Sequence, residues 1–383
     1  MTSYAAAEPI GVSLARTNLP TNISETHIPR HEGVGETPMT LVLTVDPAAP
    51  DPSIISQAAA VIRAGGLVAF PTETVYGLGA NALDAGAVGR IFDVKGRPPT
   101  NPVIVHIASP DEALNVAAVW PETAARLAER FWPGPLTLVV PRRPEVPDMV
   151  TSGGPTVAIR CPAHAVARDL IRASGVPIAA PSANRSTELS PTRAEHVLTG
   201  LNIGIGLVLD GGPCSGGIES TVVDVTGGVV RLLRPGLISI PMLEAVVGRV
   251  ETGGPAGRVS RSPGLMARHY CPRTPVRLCN EADEQKIWDE LRRKYHRVAM
   301  LRFDSVGSAG VVRVTDDTEE AGAIQLLRLP AEPAAAAAHL YATLHALDRA
   351  SLEAILVVMP PDTPAWGGVR DRLSRAGINE ESR

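Results

Sequence analysis

Along residues 41–247, short apolar runs alternate with stretches whose apolar positions recur every three or four residues, the signature of strands interleaved with amphipathic helices. The pattern predicts strands over 41–45, 67–70, 102–107, 136–140, 157–161, 177–180, 206–209, 221–225 and 229–233. Helices are predicted over 54–64, 122–131 and 163–173. After the strand at 67–70 comes a hydroxyl-rich turn, Pro71-Thr72-Glu73-Thr74, and then Gly77 and Gly79, expected to let the backbone come close to something. A short helix follows, with Val88, Ile91 and Phe92 on one face and Asp84 as its cap. It delivers Lys95 and Arg97 on either side of Gly96, and Pro98 and Pro99 stop it there.

Residues 248–275 change character, with Pro and Gly in quick succession, and read as a linker. It carries Arg268, His269 and Tyr270, side chains unusual in a plain spacer and suited to covering a site. Beyond it the pattern predicts strands over 276–278, 298–303, 311–314, 325–329 and 355–359, with helices over 284–294 and 334–350. The rhythm is Rossmann-like, but no GxGxxG accompanies it, so no dinucleotide is assigned. The five alanines at 334–338 read as helix propensity. Residues 1–38 show little periodicity and read as a mobile extension. The predicted organisation is an α/β domain with a twisted mixed sheet over 39–247, the linker over 248–275, and a smaller α/β domain over 276–383.

Composition narrows the choices. A chain of 383 residues suggests two domains, and a net charge of -4 with no basic block argues against general affinity for a nucleic acid backbone. With only 3% aromatic residues there is little to stack on bases, which weighs against a non-catalytic RNA-binding module. The four cysteines show no CxxC spacing, so neither a zinc knuckle nor a disulfide framework is indicated, and a reducing cytoplasm fits. No apolar run reaches the roughly 18 residues of a membrane span, and the N-terminus lacks a signal-peptide pattern.

Three strands each carry one polar residue opposite their main apolar set: His106, Thr137 and Arg160. Each alone reads as part of a solvated face, but alongside Lys95 and Arg97 the three can line one sheet surface. Pro181-Ser182-Ala183-Asn184 follows a strand end, where α/β proteins bind ligands, although a self-bonded turn accounts for it locally. The glycine-rich 211–217 loop leads into Glu219-Ser220-Thr221, and its glycines serve either as turns or as an anion cradle. Arg234 closes the domain as another cation at a strand end.

In order, PTETVYGLGANA, KGRPPTNPVIVH, WPGPLTLVV, VAIRCPAH, VPIAAPSAN, DGG, GIESTVVDV and LLRPG resemble the YrdC-like family of threonylcarbamoyl-AMP synthases. The SPGLMARHYCP linker and trailing unit resemble its longer form, with a YrdC-like catalytic domain and a Rossmann-like C-terminal domain. The resemblance implies that L-threonine, bicarbonate and ATP, with Mg²⁺ held mainly by the phosphates, give threonylcarbamoyl-AMP and pyrophosphate. Partner proteins then transfer the group to tRNA beside the anticodon, with no stable tRNA binding expected of this chain. It further implies that Thr72, His106, Arg160 and Ser220 hold threonine, while Lys95, Arg97, Asn101, Ser182, Asn184 and Arg234 hold the nucleotide. Lys95 and Arg97 neutralise charge in the reaction, Thr137 sits between the ligands on the ATP side, and His269 and Tyr270 close over it. In the family's linker a Lys-Tyr or similar pair precedes Arg-His-Tyr, whereas this chain has Met266-Ala267. The resembling carbamoyltransferases of hydrogenase maturation add zinc-binding CxxC motifs that are missing from this sequence.

Overall fold

The computed structural model describes residues 40–201, 204–253, 270–304, 312–315 and 324–377. The extension over 1–38 and Arg268 and His269 of the linker therefore lie outside the described residues. The first half runs β1 (Leu41–Thr44), α1 (Pro52–Arg63), β2 (Val68–Phe70), β3 (Gly77–Asn81), α2 (Ala85–Lys95) and β4 (Ile104–His106). It continues through α3 (Glu122–Phe131), β5 (Leu136–Pro141), α4 (Asp148–Thr151), β6 (Thr156–Arg160), α5 (Ala165–Ser174) and β7 (Ile178–Ala179). Then come α6 (Ala194–Gly200), β8 (Leu207–Asp210), β9 (Thr221–Asp224), β10 (Val230–Arg234), α7 (Ile240–Val247) and β11 (Val250–Thr252). These strands form one mixed sheet of eleven, in the order β1-β8-β2-β3-β7-β4-β6-β5-β9-β10-β11.

Local chemistry accounts for the element nearest the site. Asp84 caps α2 by accepting from the Gly86 and Ala87 amides, and Gly96 ends it in the left-handed conformation at φ 60°. Val88, Ile91 and Phe92 are buried as the periodicity predicts. Gly77 and Gly79 lie in β3, antiparallel to β2. A Cβ at Gly79 would stand 2.6 Å from the Phe70 ring and 2.8 Å from Ile178 Cγ2, so packing between neighbouring strands requires the glycine there. Residues 250–252, expected in the linker, pair in parallel with β10 and extend the first sheet.

The second half contains β12 (Val276–Cys279), α8 (Glu284–Lys294), β13 (Val298–Asp304), β14 (Val312–Thr315), β15 (Ile324–Pro330), α9 (Pro333–Arg349), β16 (Ala354–Val358) and α10 (Gly367–Ala376). Its sheet order is β12-β16-β13-β15-β14, parallel except for the edge strand β14. Helices α4, α6, α7 and α10 were not predicted from the pattern. The second core is not self-contained, because Val75, Leu189, Ile218 and Tyr270 pack into one cluster with Leu340, Tyr341, Val369 and Leu373. The two halves thus bury apolar surface against each other directly beside the residues singled out by sequence.

Candidate active site

Strand register places the three anomalous polar residues together. His106 pairs with Arg160 across β4 and β6, and Thr137 lies one step beyond the Leu138–Ile159 pair of β5 and β6. Their face carries Ile104, Val139, Ala158, Val222 and Leu233 as an apolar floor. It is not solvated: His106, Thr137 and Arg160 are all buried, and the 72–75, 180–182 and 219–220 segments line the cavity there together with Tyr270. The expectation of a solvent face for each fails for this reason.

Arg160 is the most constrained of the three. Its Nη1 donates to Thr74 Oγ1 at 2.8 Å, its Nε donates to the Gly134 carbonyl at 3.3 Å, and its Nη2 lies 2.7 Å from Glu73 Oε1. That last contact is an ion pair out of line for a hydrogen bond, since neither atom has a hydrogen-bond partner. Thr72 stitches the turn beneath: its Oγ1 donates to the Val75 carbonyl at 2.7 Å and accepts from the Thr74 and Val75 amides. Burial and the adjacent Arg160 charge push the His106 pKa down to about 3, so the imidazole is neutral at pH 7. Its Nδ1 has no hydrogen-bond partner.

The other end of the pocket is cationic. Arg97, beyond the end of α2, donates through Nε to the Asn101 carbonyl at 3.1 Å and through Nη2 to the Pro102 carbonyl at 2.8 Å. Burial, and secondarily the charge of Arg234, lower its pKa to about 10. Arg234, at the end of β10, donates to the Ser220 carbonyl and to Ser220 Oγ at 3.2 Å, and Ser220 Oγ lies 2.8 Å from Thr137 Oγ1. The Ser220–Thr137 contact connects the two ends of the site.

Thr72, Arg97, His106 and Arg160 line one cavity together with Ser182, Ser220, Arg234 and Tyr270. Lys95, Asn101, Thr137 and Asn184 are buried alongside but do not line it. Lys95 Nζ donates to the carbonyls of Ser182, at 2.6 Å, and Asn184, so it braces the 181–184 loop. Burial first and the Arg97 charge second drive its pKa well down. Asn184 Nδ2 donates to the Arg185 and Glu188 carbonyls, the self-bonded turn that is the simpler reading of this motif. Open space in the cavity is only about 50 Å³, room for a few waters. Tyr270, buried against the pocket, takes up part of the rest.

Sequence reasoning missed Thr74 and Glu73, which contact Arg160, and Glu219. Each stands within two positions of a singled-out residue, in PTET or GIEST, and proximity in the chain was the available signal. Glu219 lines the cavity. Burial alone would raise its pKa, but Arg372 and Arg234 outweigh burial and hold it at about 2, as a carboxylate. Among the described residues no cluster of three acidic, His or Cys side chains is placed to hold a metal, and no helix is long and apolar enough to cross a membrane.

Comparison with known proteins agrees with this layout. Residues 60–236 match the Sua5/YciO/YrdC family model, described as telomere recombination, and residues 238–377 match the model described as threonylcarbamoyl-AMP synthase, C-terminal domain. The chain is 41% identical over 332 residues to the threonylcarbamoyl-AMP synthase of Bacillus subtilis, an alignment spanning 85% of this chain and 93% of the relative. It is 41% identical over 330 residues to that of Pyrococcus abyssi, spanning 83% and 92%. A solved P. abyssi Sua5 complexed with L-threonine superposes with a TM-score of 0.79 at 39% identity, covering 88% of this chain and 97% of that one. With this cavity at the ends of a twisted mixed sheet and a second α/β half packed over it, the chain belongs to the two-domain Sua5/YrdC family of threonylcarbamoyl-AMP synthases.

Proposed function

We propose that this pocket condenses L-threonine, bicarbonate and ATP into L-threonylcarbamoyl-AMP and pyrophosphate. The observation that carries the proposal is one cavity with two chemically distinct ends. Arg160, neutral His106 and Ser220 form an end suited to a small hydroxy amino acid, and Arg97 and Arg234 form an end suited to a polyphosphate. Arg160 takes the carboxylate of threonine, in place of or beside Glu73. His106 offers its unpartnered Nδ1 to the amino acid, and Thr72 holds the turn that presents Thr74 and Arg160. The threonine amine adds to bicarbonate with loss of water, and a carbamate oxygen attacks the α-phosphorus in line as pyrophosphate leaves. No covalent protein nucleophile is needed; catalysis is positioning and charge neutralisation.

Lys95 acts by fixing Ser182 and Asn184 at the nucleotide end as well as by its charge, with Asn101 and Thr137 supporting that wall. Mg²⁺ enters on the ATP phosphates: the two carboxylates at the cavity, Glu73 and Glu219, each face an arginine and form no metal cage. Because the open space is far smaller than the two ligands, Tyr270 withdraws to admit them and returns to exclude water from the labile product. The product passes to partner proteins that modify tRNA, with no stable tRNA complex formed by this chain. The test is to incubate the protein with ATP, Mg²⁺, bicarbonate and each amino acid in turn, and to identify the adenylate by mass. Threonylcarbamoyl-AMP is expected with threonine, and its absence there overturns the proposal.

A further inference from the structure

Arg372 sits on α10, in the second half of the chain, yet its side chain is fully buried against the first. Its guanidinium makes an ion pair with Glu219 through Nε, 2.6 Å from Oε2. Nη2 donates to the Glu219 carbonyl at 3.2 Å, and Nη1 donates to the Pro235 carbonyl at 2.9 Å. Nη1 also meets Asp371 Oδ2 at 2.8 Å. Its Cζ lies over the Tyr270 ring, 5.2 Å from the centroid.

Two of these partners flank pocket residues in the chain. Glu219 precedes Ser220, and Pro235 follows Arg234. The third partner, Tyr270, is held at φ 64°, a left-handed conformation that a tyrosine adopts only when its surroundings impose it. Glu219 is gripped from further sides by Ser190 Oγ and by the Tyr341 hydroxyl of α9, 3.2 Å from Oε2. Backbone contacts press the same two loops against the same helices. A Cβ at Gly217 would stand 2.1 Å from the Ala337 carbonyl of α9, and one at Gly368 of α10 would stand 2.8 Å from the Gly236 carbonyl. The second half therefore grips the 217–220 and 234–236 segments at once, and Arg372 is the only side chain among the described contacts that reaches both loops and Tyr270.

We propose that Arg372 is a positioning residue for the first domain's active site, setting Ser220, Arg234 and Tyr270 in register with one another. The C-terminal domain is in this sense part of the catalytic pocket and not only a support for the linker. Arginine suits the role because its rigid fork serves a carboxylate and two carbonyls in one plane, which a lysine's single point of charge does not. The inference rests on the adenylate-forming reading of the pocket for its kinetic arm, but its structural arm is independent of that reading.

The experiment compares the full-length wild type with Arg372→Lys, Arg372→Met and the double variant Glu219→Gln/Arg372→Met. Removing Arg372 alone leaves a buried carboxylate unpaired and is expected to destabilise the fold; the double variant removes both charges and recovers much of that loss. Hydrogen exchange followed by mass spectrometry is read at a temperature where circular dichroism shows every protein to be folded. All three variants are expected to exchange at least about tenfold faster over 217–221 and 234–237, with β4, β5 and β6 unchanged, because about 1.4 kcal/mol of lost local stability is a factor of ten in opening. In threonine-dependent pyrophosphate release per folded molecule, the KM for ATP is expected to rise about tenfold, including in the double variant whose stability has recovered. Wild-type exchange in both loops, or a wild-type KM in the double variant, overturns the proposal. A wild type that releases no pyrophosphate counts against the reading of the pocket, and the exchange measurement still decides the role of Arg372.

Discussion

The two ends of the cavity are built differently. The His106–Arg160–Thr137 end is set by strand register, in which each residue's place follows from backbone hydrogen bonds within one sheet. The Ser220–Arg234–Tyr270 end sits where strands give way to loops, and it is held by side chains from α9 and α10 more than a hundred residues away in the chain. A strand-set residue is as stable as its sheet, whereas a loop-set residue is only as stable as the contacts that dock on it. Arg160 and His106, proposed for the amino acid, are thus as stable as the sheet, whereas the docked end, where Ser220, proposed for the amino acid, meets Arg234, proposed for the nucleotide, can loosen without unfolding it.

The largest test strikes the strand-set end. Arg160→Ala removes the fork proposed for the threonine carboxylate and should raise the KM for threonine about 100-fold, with a much smaller change for ATP. Equal losses for both substrates would erase the distinction between the ends. Gly217→Ala strikes the docked end through the backbone. Its Cβ would overlap the Ala337 carbonyl, and φ is +73°, so a loss of about 1–3 kcal/mol or more in thermal or urea unfolding is expected, with a raised KM for ATP.

A pH test concerns His106. Its pKa is about 3 in the folded protein against about 6.5 unfolded, so between these values the unfolded chain binds more protons than the native one. Stability contributed by the neutral imidazole is therefore complete above pH 6.5 and is lost as pH falls towards 3, by about 1.4 kcal/mol per pH unit. His106→Asn should flatten the urea-unfolding stability profile across that window by about one proton's worth of slope. The smallest effect belongs to Glu332→Ala. Glu332 caps α9 by accepting from the Ala334 and Ala335 amides, so about 1 kcal/mol of stability should be lost with turnover unchanged. A change in turnover there would mean that α9 reports on the pocket even through its far end.

Legibility in the sequence follows the same division. The strand rhythm was readable because burial on a pleated surface repeats every two residues, and His106, Thr137 and Arg160 stood out against that repeat. Lys95 and Arg97 were readable because Gly96 and two prolines fix where α2 must stop. What the pattern misjudged was exposure: a polar residue on an otherwise apolar strand looks identical whether water or other segments of the chain lie over it. Gly79 and Gly217 illustrate the same limit. Gly79 was legible as a point of close approach and the 211–217 glycines only as turns or an anion cradle, but the objects that come close, Phe70 and α9, belong to other segments.

Sequence alone determined the α/β class and offered a set of candidate cations and hydroxyls, since these follow from periodicity and motif order within short windows. Tertiary structure alone decided which of those groups face a common cavity, why Lys95 turns to two carbonyls beside it, and that Glu219 and Arg372, separated by 153 positions, meet in a buried pair. Side-chain periodicity is a local property of the chain, whereas satisfying a buried charge depends on whatever the fold brings within about 3 Å of it.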